Sequence, residues 1–88
     1  MNSIKGKFAL VTGGTQGLGA AIAKNFAESE VEGIVTIGRQ EDKGNKVAKQ
    51  IQEETGCKVI FIKTDLSNVK QCRNAVAVAL KNFGKLDI

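Results

Sequence analysis

The protein is an 88-residue chain of 9.4 kDa with 42% hydrophobic and 25% charged residues. That composition excludes wholesale disorder and allows one small domain or part of a larger one. Lysine and arginine number 13 against 9 acids, a net charge of +4, but the lysines are scattered and nucleic-acid binding is not expected. Histidine and tyrosine are both absent, so a mechanism that needs either as proton donor cannot run on these residues alone.

Taken in chain order, apolar periodicity switches back and forth. Phe8-Ala9-Leu10-Val11 is a continuous apolar run bounded by glycines, the pattern of a strand buried on both faces. Over residues 17–28, Leu18, Ala21, Ile22, Ala23, Phe26 and Ala27 fall on one helical stripe. Ile34-Val35-Thr36-Ile37 is β-branched and favours a second strand. Residues 41–55 are expected as an exposed helix, with Val47, Ala48 and Ile51 inward and Lys43, Lys46 and Lys49 outward. Gly56 stands where a C-cap glycine belongs. Val59-Ile60-Phe61-Ile62 is the third strand candidate. Ser67 is the candidate cap of a last helix in which Val69, Cys72, Val76, Leu80 and Phe83 step by three and four. Gly84 stops that helix, and Leu86-Asp87-Ile88 opens another apolar stretch.

Strands alternating with helices of this length specify the α/β class with a doubly wound parallel sheet of Rossmann type. Right-handed crossovers put the first two helices on one face and the third on the other, with strand order 3-2-1-(4) and the fourth strand only begun. A switch point between strands one and four is where such folds open a ligand crevice. No linker or repeat divides the chain, so no domain boundary is expected within residues 1–88.

The turn between the first strand and the first helix reads Thr12-Gly13-Gly14-Thr15-Gln16-Gly17-Leu18-Gly19. Glycines let the backbone approach a pyrophosphate, and the following helix offers free N–H groups and a positive dipole end. The other reading is a tight turn with small residues for helix packing. A nucleoside-triphosphatase loop is ruled out because the motif does not end in Gly-Lys-Ser/Thr.

Thr12-Gly13-x-x-x-Gly17-x-Gly19, Asp65-Leu66 and Lys85-Leu86-Asp87-Ile88 together resemble the short-chain dehydrogenase/reductase family, from Gly6 to the chain end. The resemblance implies that residues 1–88 are the N-terminal part of a single NAD(P)-binding Rossmann domain, with cofactor contacts from Gly13, Thr15, Gln16, Gly17, Leu18 and Gly19, and adenine contacts from Asp65 and Leu66. It also implies hydride exchange between a nicotinamide cofactor and a carbonyl or alcohol substrate, in a longer chain that forms homo-oligomers. The family's tyrosine, its Tyr-x-x-x-Lys lysine and its serine have no counterpart here. No catalytic residue can be named, and the 88 residues alone are expected to be inactive.

The end of the second strand bears on the choice of cofactor. An acid there would bind the ribose hydroxyls of NAD; this chain has Gly38 at that position, followed by Arg39. A guanidinium grips a phosphate through paired charge-assisted hydrogen bonds, so NADP(H) is preferred, with NAD(H) possible. Against this stand Gln16, where many NADP-preferring relatives carry a basic residue, and Glu41, which offers an alternative acidic contact. Arg39 also has a plain reading as a solvated arginine, and Asp65 as a helix N-terminal acid. Cys57 and Cys72 are read as packing thiols of a reducing compartment, with no metal site. No leader or membrane span is visible, so a cytoplasmic protein is expected. The alternative function is a non-catalytic dinucleotide-binding or interaction module.

Overall fold

The computed structural model describes residues 5–13 and 17–88, and the side chains of all of these except residues 17 and 18. Six elements alternate: β1 Phe8–Thr12, α1 Gly17–Glu28, β2 Gly33–Gly38, α2 Glu41–Thr55, β3 Lys58–Lys63 and α3 Val69–Phe83. The strands form one sheet in the order β1-β2-β3, both pairs parallel, with Phe8, Gly33 and Lys58 in one row.

The chain end extends this order past β1. Leu10 N–H donates to the Ile88 carbonyl at 2.9 Å, and Asp87 N–H donates to the Phe8 carbonyl at 2.8 Å. The Asp87 carboxylate in turn accepts the Phe8 N–H at 2.9 Å. Residues 87 and 88 therefore lie beside β1 on the side away from β2, as the 3-2-1-(4) order requires.

Each strand divides its side chains between two layers, as period-two geometry demands. Val11, Ile34 and Val59 join Ala23 and Ala27 of α1 and Ala48 and Ile51 of α2 in one core. Val35 and Ile37 face the other way, against Ala75 and Ala79 of α3. Burial of β2 on both faces explains why it reads as an unbroken apolar run. Full burial of side chains such as Ile34 and Val35 contributes about 1.5–3 kcal/mol each.

Two helical stripes differ from expectation. Among the described side chains of α1, Ala23 and Ala27 are buried, while Ala21 and Ile22 are exposed. In α3 the buried line is Ala75 and Ala79, and Val69, Val76 and Leu80 are 63%, 42% and 43% exposed. Small residues let α3 lie close to the sheet, and the bulkier row is turned aside. The cap of α3 is also one residue later than expected. Asn68, not Ser67, accepts the Gln71 N–H, because the Ser67 hydroxyl is committed to Asp65.

Helix α2 matches its expected span, and Gly56 adopts φ +76 and donates its N–H to the Gln52 carbonyl. Two glycines serve packing instead. A Cβ at Gly33 would come within 2.9 Å of the Phe83 ring, which stacks on Phe8 with centroids 4.8 Å apart. A Cβ at Gly44 would run into the Phe61 ring, so α2 meets β3 through a ring seated on a glycine. Cys57 is buried with its thiol 3.5 Å from the Val31 carbonyl; burial, and then the charge of Glu32, push its pKa up. Among the described residues, no helix is long and apolar enough to cross a membrane.

Candidate functional site

The carboxyl ends of the three strands are drawn together by backbone bonds. Gly13 N–H donates to the Ile37 carbonyl at 3.1 Å, and Thr64 N–H donates to the Gly38 carbonyl at 2.6 Å. Thr64 is fully buried, with its hydroxyl donating to the Ile62 carbonyl at 3.1 Å. Above these ties lies a cleft of about 460 Å³ lined by Gly13, residues 37–40 and residues 64–67. The structure thus brings Gly13, Arg39, Asp65 and Leu66 to one concavity, although up to 52 residues separate them in sequence.

Gly13 holds φ +67, a conformation L side chains rarely adopt, and a Cβ there would meet none of the described residues within 4 Å. A glycine is needed for that turn. Helix α1 then starts at Gly17 with no acidic residue in its first turn, whereas α2 carries Glu41 and Asp42 in its own. The positive end of α1 is therefore not offset locally and suits an anion. Gly17, Leu18 and Gly19 form the first turn of α1. Thr15 and Gln16 lie outside the described residues, as does the Leu18 side chain.

Arg39 leaves the end of β2 with an exposed side chain, and Leu66, in the same lining, is 55% exposed. Asp65 is the most constrained residue of the cleft. Its Oδ1 accepts the Ser67 hydroxyl at 2.7 Å and the Ser67 N–H at 3.0 Å. Those two bonds, and more weakly the charge of Arg39, hold its carboxyl below the usual aspartate range. The cleft is thus a groove whose lining includes both an arginine and an ionised carboxylate. Such an arrangement can take an aromatic amine and an anion at once. A nicotinamide dinucleotide has both groups, and the glycine turn, the helix start without an acid in its first turn and Arg39 fit its phosphates.

A family model described as short chain dehydrogenase matches residues 7–88. The chain belongs to the short-chain dehydrogenase family. Over 88 residues it is 41% identical to 2,5-dichloro-2,5-cyclohexadiene-1,4-diol dehydrogenase LinX of Sphingobium indicum, covering 97% of this chain and 33% of that protein. It superposes with TM-score 0.92 and 32% identity on L-sorbose reductase from Gluconobacter frateurii complexed with NADPH and L-sorbose, over 99% of this chain and 33% of that one. A short-chain dehydrogenase/reductase from Burkholderia phymatum in complex with NAD gives 0.91 and 30%, over 98% and 30%. This short-chain dehydrogenase chain spans about a third of the length of the curated relatives it matches. The fold is the Rossmann-like sheet of these neighbours.

Sequence reasoning gives Thr64 no role and reads Ser67 as the α3 cap, whereas the two residues build the Asp65 corner. Both flank Asp65-Leu66 at the end of an apolar run, and a Ser two residues after an Asp is a recognisable Asx-turn signal. Cys72, read as a packing thiol, has its Sγ 3.5 Å from the Leu66 carbonyl and so lies against the same corner. A larger hollow of about 810 Å³ sits at the other end of the sheet, near Glu30 and Cys57. It lies away from the glycine turn and from the carboxyl ends of the strands, where ligands of such folds bind.

Proposed function

We propose that this chain is the N-terminal, dinucleotide-binding part of an NADP(H)-dependent short-chain oxidoreductase acting on a carbonyl or alcohol. The observation that carries the preference is Arg39 on the rim of the cleft, directly after Gly38, where an NAD-selective site would present an acid. Solved neighbours carry NADPH in one case and NAD in another, which supports a nicotinamide dinucleotide and leaves the choice to Arg39.

The residues divide the cofactor between them. The turn at Gly13 and the first turn of α1, Gly17 to Gly19, with Thr15 and Gln16 of the loop, take the pyrophosphate through backbone N–H groups. Arg39 takes the 2′-phosphate. Asp65 accepts from the adenine amino group, and Leu66 covers the ring. When bound, the nicotinamide supplies the hydride chemistry. The proton transfer assigned in this family to a tyrosine has no bearer here, since the chain contains none. The 88 residues alone are therefore proposed to bind without turnover, in a cytoplasmic protein whose longer form is a homo-oligomer.

Isothermal titration of the chain with NADPH and with NADH tests this reading. The expected result is saturable binding of both with NADPH tighter; tighter NADH binding would reverse the assignment of Arg39, and binding of neither would remove the site.

A further inference from the structure

We infer that Gln71 is a positioning residue for adenine recognition, acting through Asp65. The inference rests on the proposed dinucleotide site and extends it to a side chain outside the cleft lining. In an ordinary capping box the side chain at the third helical position accepts the N–H of the N-cap residue. Asn68 is the N-cap of α3 and Gln71 occupies that third position, yet the reciprocal bond is not made. Asn68 N–H is already donated to the Asp65 carbonyl at 2.9 Å. The Gln71 side chain reaches further, and its Oε1 accepts the Asp65 N–H at 2.8 Å. Gln71 is itself fixed, because its own N–H donates to Asn68 Oδ1 at 3.1 Å.

Asp65 is thus held at three atoms. Its N–H is bound by Gln71, its carbonyl by Asn68, and its Oδ1 by Ser67. Its Oδ2 takes part in none of these bonds and is left for a donor in the cleft. A carboxylate discriminates between bases only if its direction is fixed before binding. The Gln71 oxygen ties that direction to the rigid first turn of α3 and not to the loop alone.

The test compares NADP with its deamino analogue, in which hypoxanthine replaces adenine and a carbonyl replaces the 6-amino donor. The unaltered chain is expected to favour NADP about tenfold or more, the size of one well-aligned hydrogen bond to a charged group. Gln71→Ala should bring that ratio below about twofold, and Gln71→Glu, which keeps the acceptor oxygen, should restore it. A purely structural role in capping α3 would shift the melting temperature and leave the ratio unchanged. Retention of the full preference in Gln71→Ala overturns the inference while the site reading stands. Equal binding of both cofactors by the unaltered chain also overturns it, and binding of neither removes inference and site together.

Discussion

Thr64 N–H donates to the Gly38 carbonyl at 2.6 Å and so fixes the end of β3 against the tip of β2. Arg39 and Asp65, the next residue after each partner, consequently line the same cleft. A backbone bond between fully buried Thr64 and a glycine thus sets which two charges face a ligand. The chemistry of the site follows from that juxtaposition.

Arg39 should carry the phosphate preference. Arg39→Ala is expected to weaken NADPH binding about tenfold and to leave NADH within about twofold, since only the 2′-phosphate loses its partner. Titration of both cofactors against both proteins checks this. The NADPH affinity of the unaltered chain should also fall more steeply with salt than that of the variant.

Asp65 should remain ionised at mildly acidic pH. Its folded pKa is depressed by the Ser67 hydroxyl first and the Ser67 N–H second. Its contribution to stability is therefore full above the unfolded aspartate value of about 3.9 and is lost as pH falls through the lower folded value. Ser67→Ala removes the larger cause and should raise the Asp65 titration midpoint towards the ordinary range. Carboxyl NMR titration reads this directly.

Gly44→Ala should destabilise the protein although alanine is the better helix former by about 1 kcal/mol. The added Cβ meets the Phe61 ring, and overpacking of this kind costs about 1–3 kcal/mol. Urea unfolding should show a net loss, and pairing the change with Phe61→Leu should recover part of it. A gain in stability on Gly44→Ala alone would contradict the packing described between α2 and β3.

Asp87 should anchor the chain end to β1. Its carboxylate accepts the Phe8 N–H and its pKa is lowered chiefly by that bond. Asp87→Ala is expected to loosen residues 87 and 88 and to speed hydrogen exchange at the Leu10 amide, which donates to Ile88. The Val35 amide, in the middle of β2, should keep its protection.

Much of this architecture was legible because its signals are local. The three apolar runs, the exposed helix ending at Gly56 and the alternation of strand and helix need no knowledge of distant contacts. The helix faces were harder. Val76 and Leu80 look like core by bulk, but close approach of α3 to Val35 and Ile37 selects Ala75 and Ala79. Seating of the Phe61 ring on Gly44 could not be read at all, since it joins residues on different elements. At the site, Gly13 and Arg39 stand out by loop position and charge and Asp65 only by the family resemblance, and all three line one cleft. Thr64 escaped notice because its role is a backbone bond and a buried hydroxyl. Ser67 was assigned to the wrong partner for a related reason: a serine next to a helix start serves equally well as cap or as Asx-turn donor, and the carboxylate of Asp65 decides between them.

The most direct measurement is a two-dimensional amide NMR titration of the chain with NADP. Shifts are expected to concentrate at Gly13, Gly38, Arg39 and Asp65 to Ser67, with smaller changes at Gly19 as the first turn of α1 receives the phosphates. Shifts confined to the hollow near Glu30 and Cys57, or none at saturating cofactor, would contradict the assignment of this cleft.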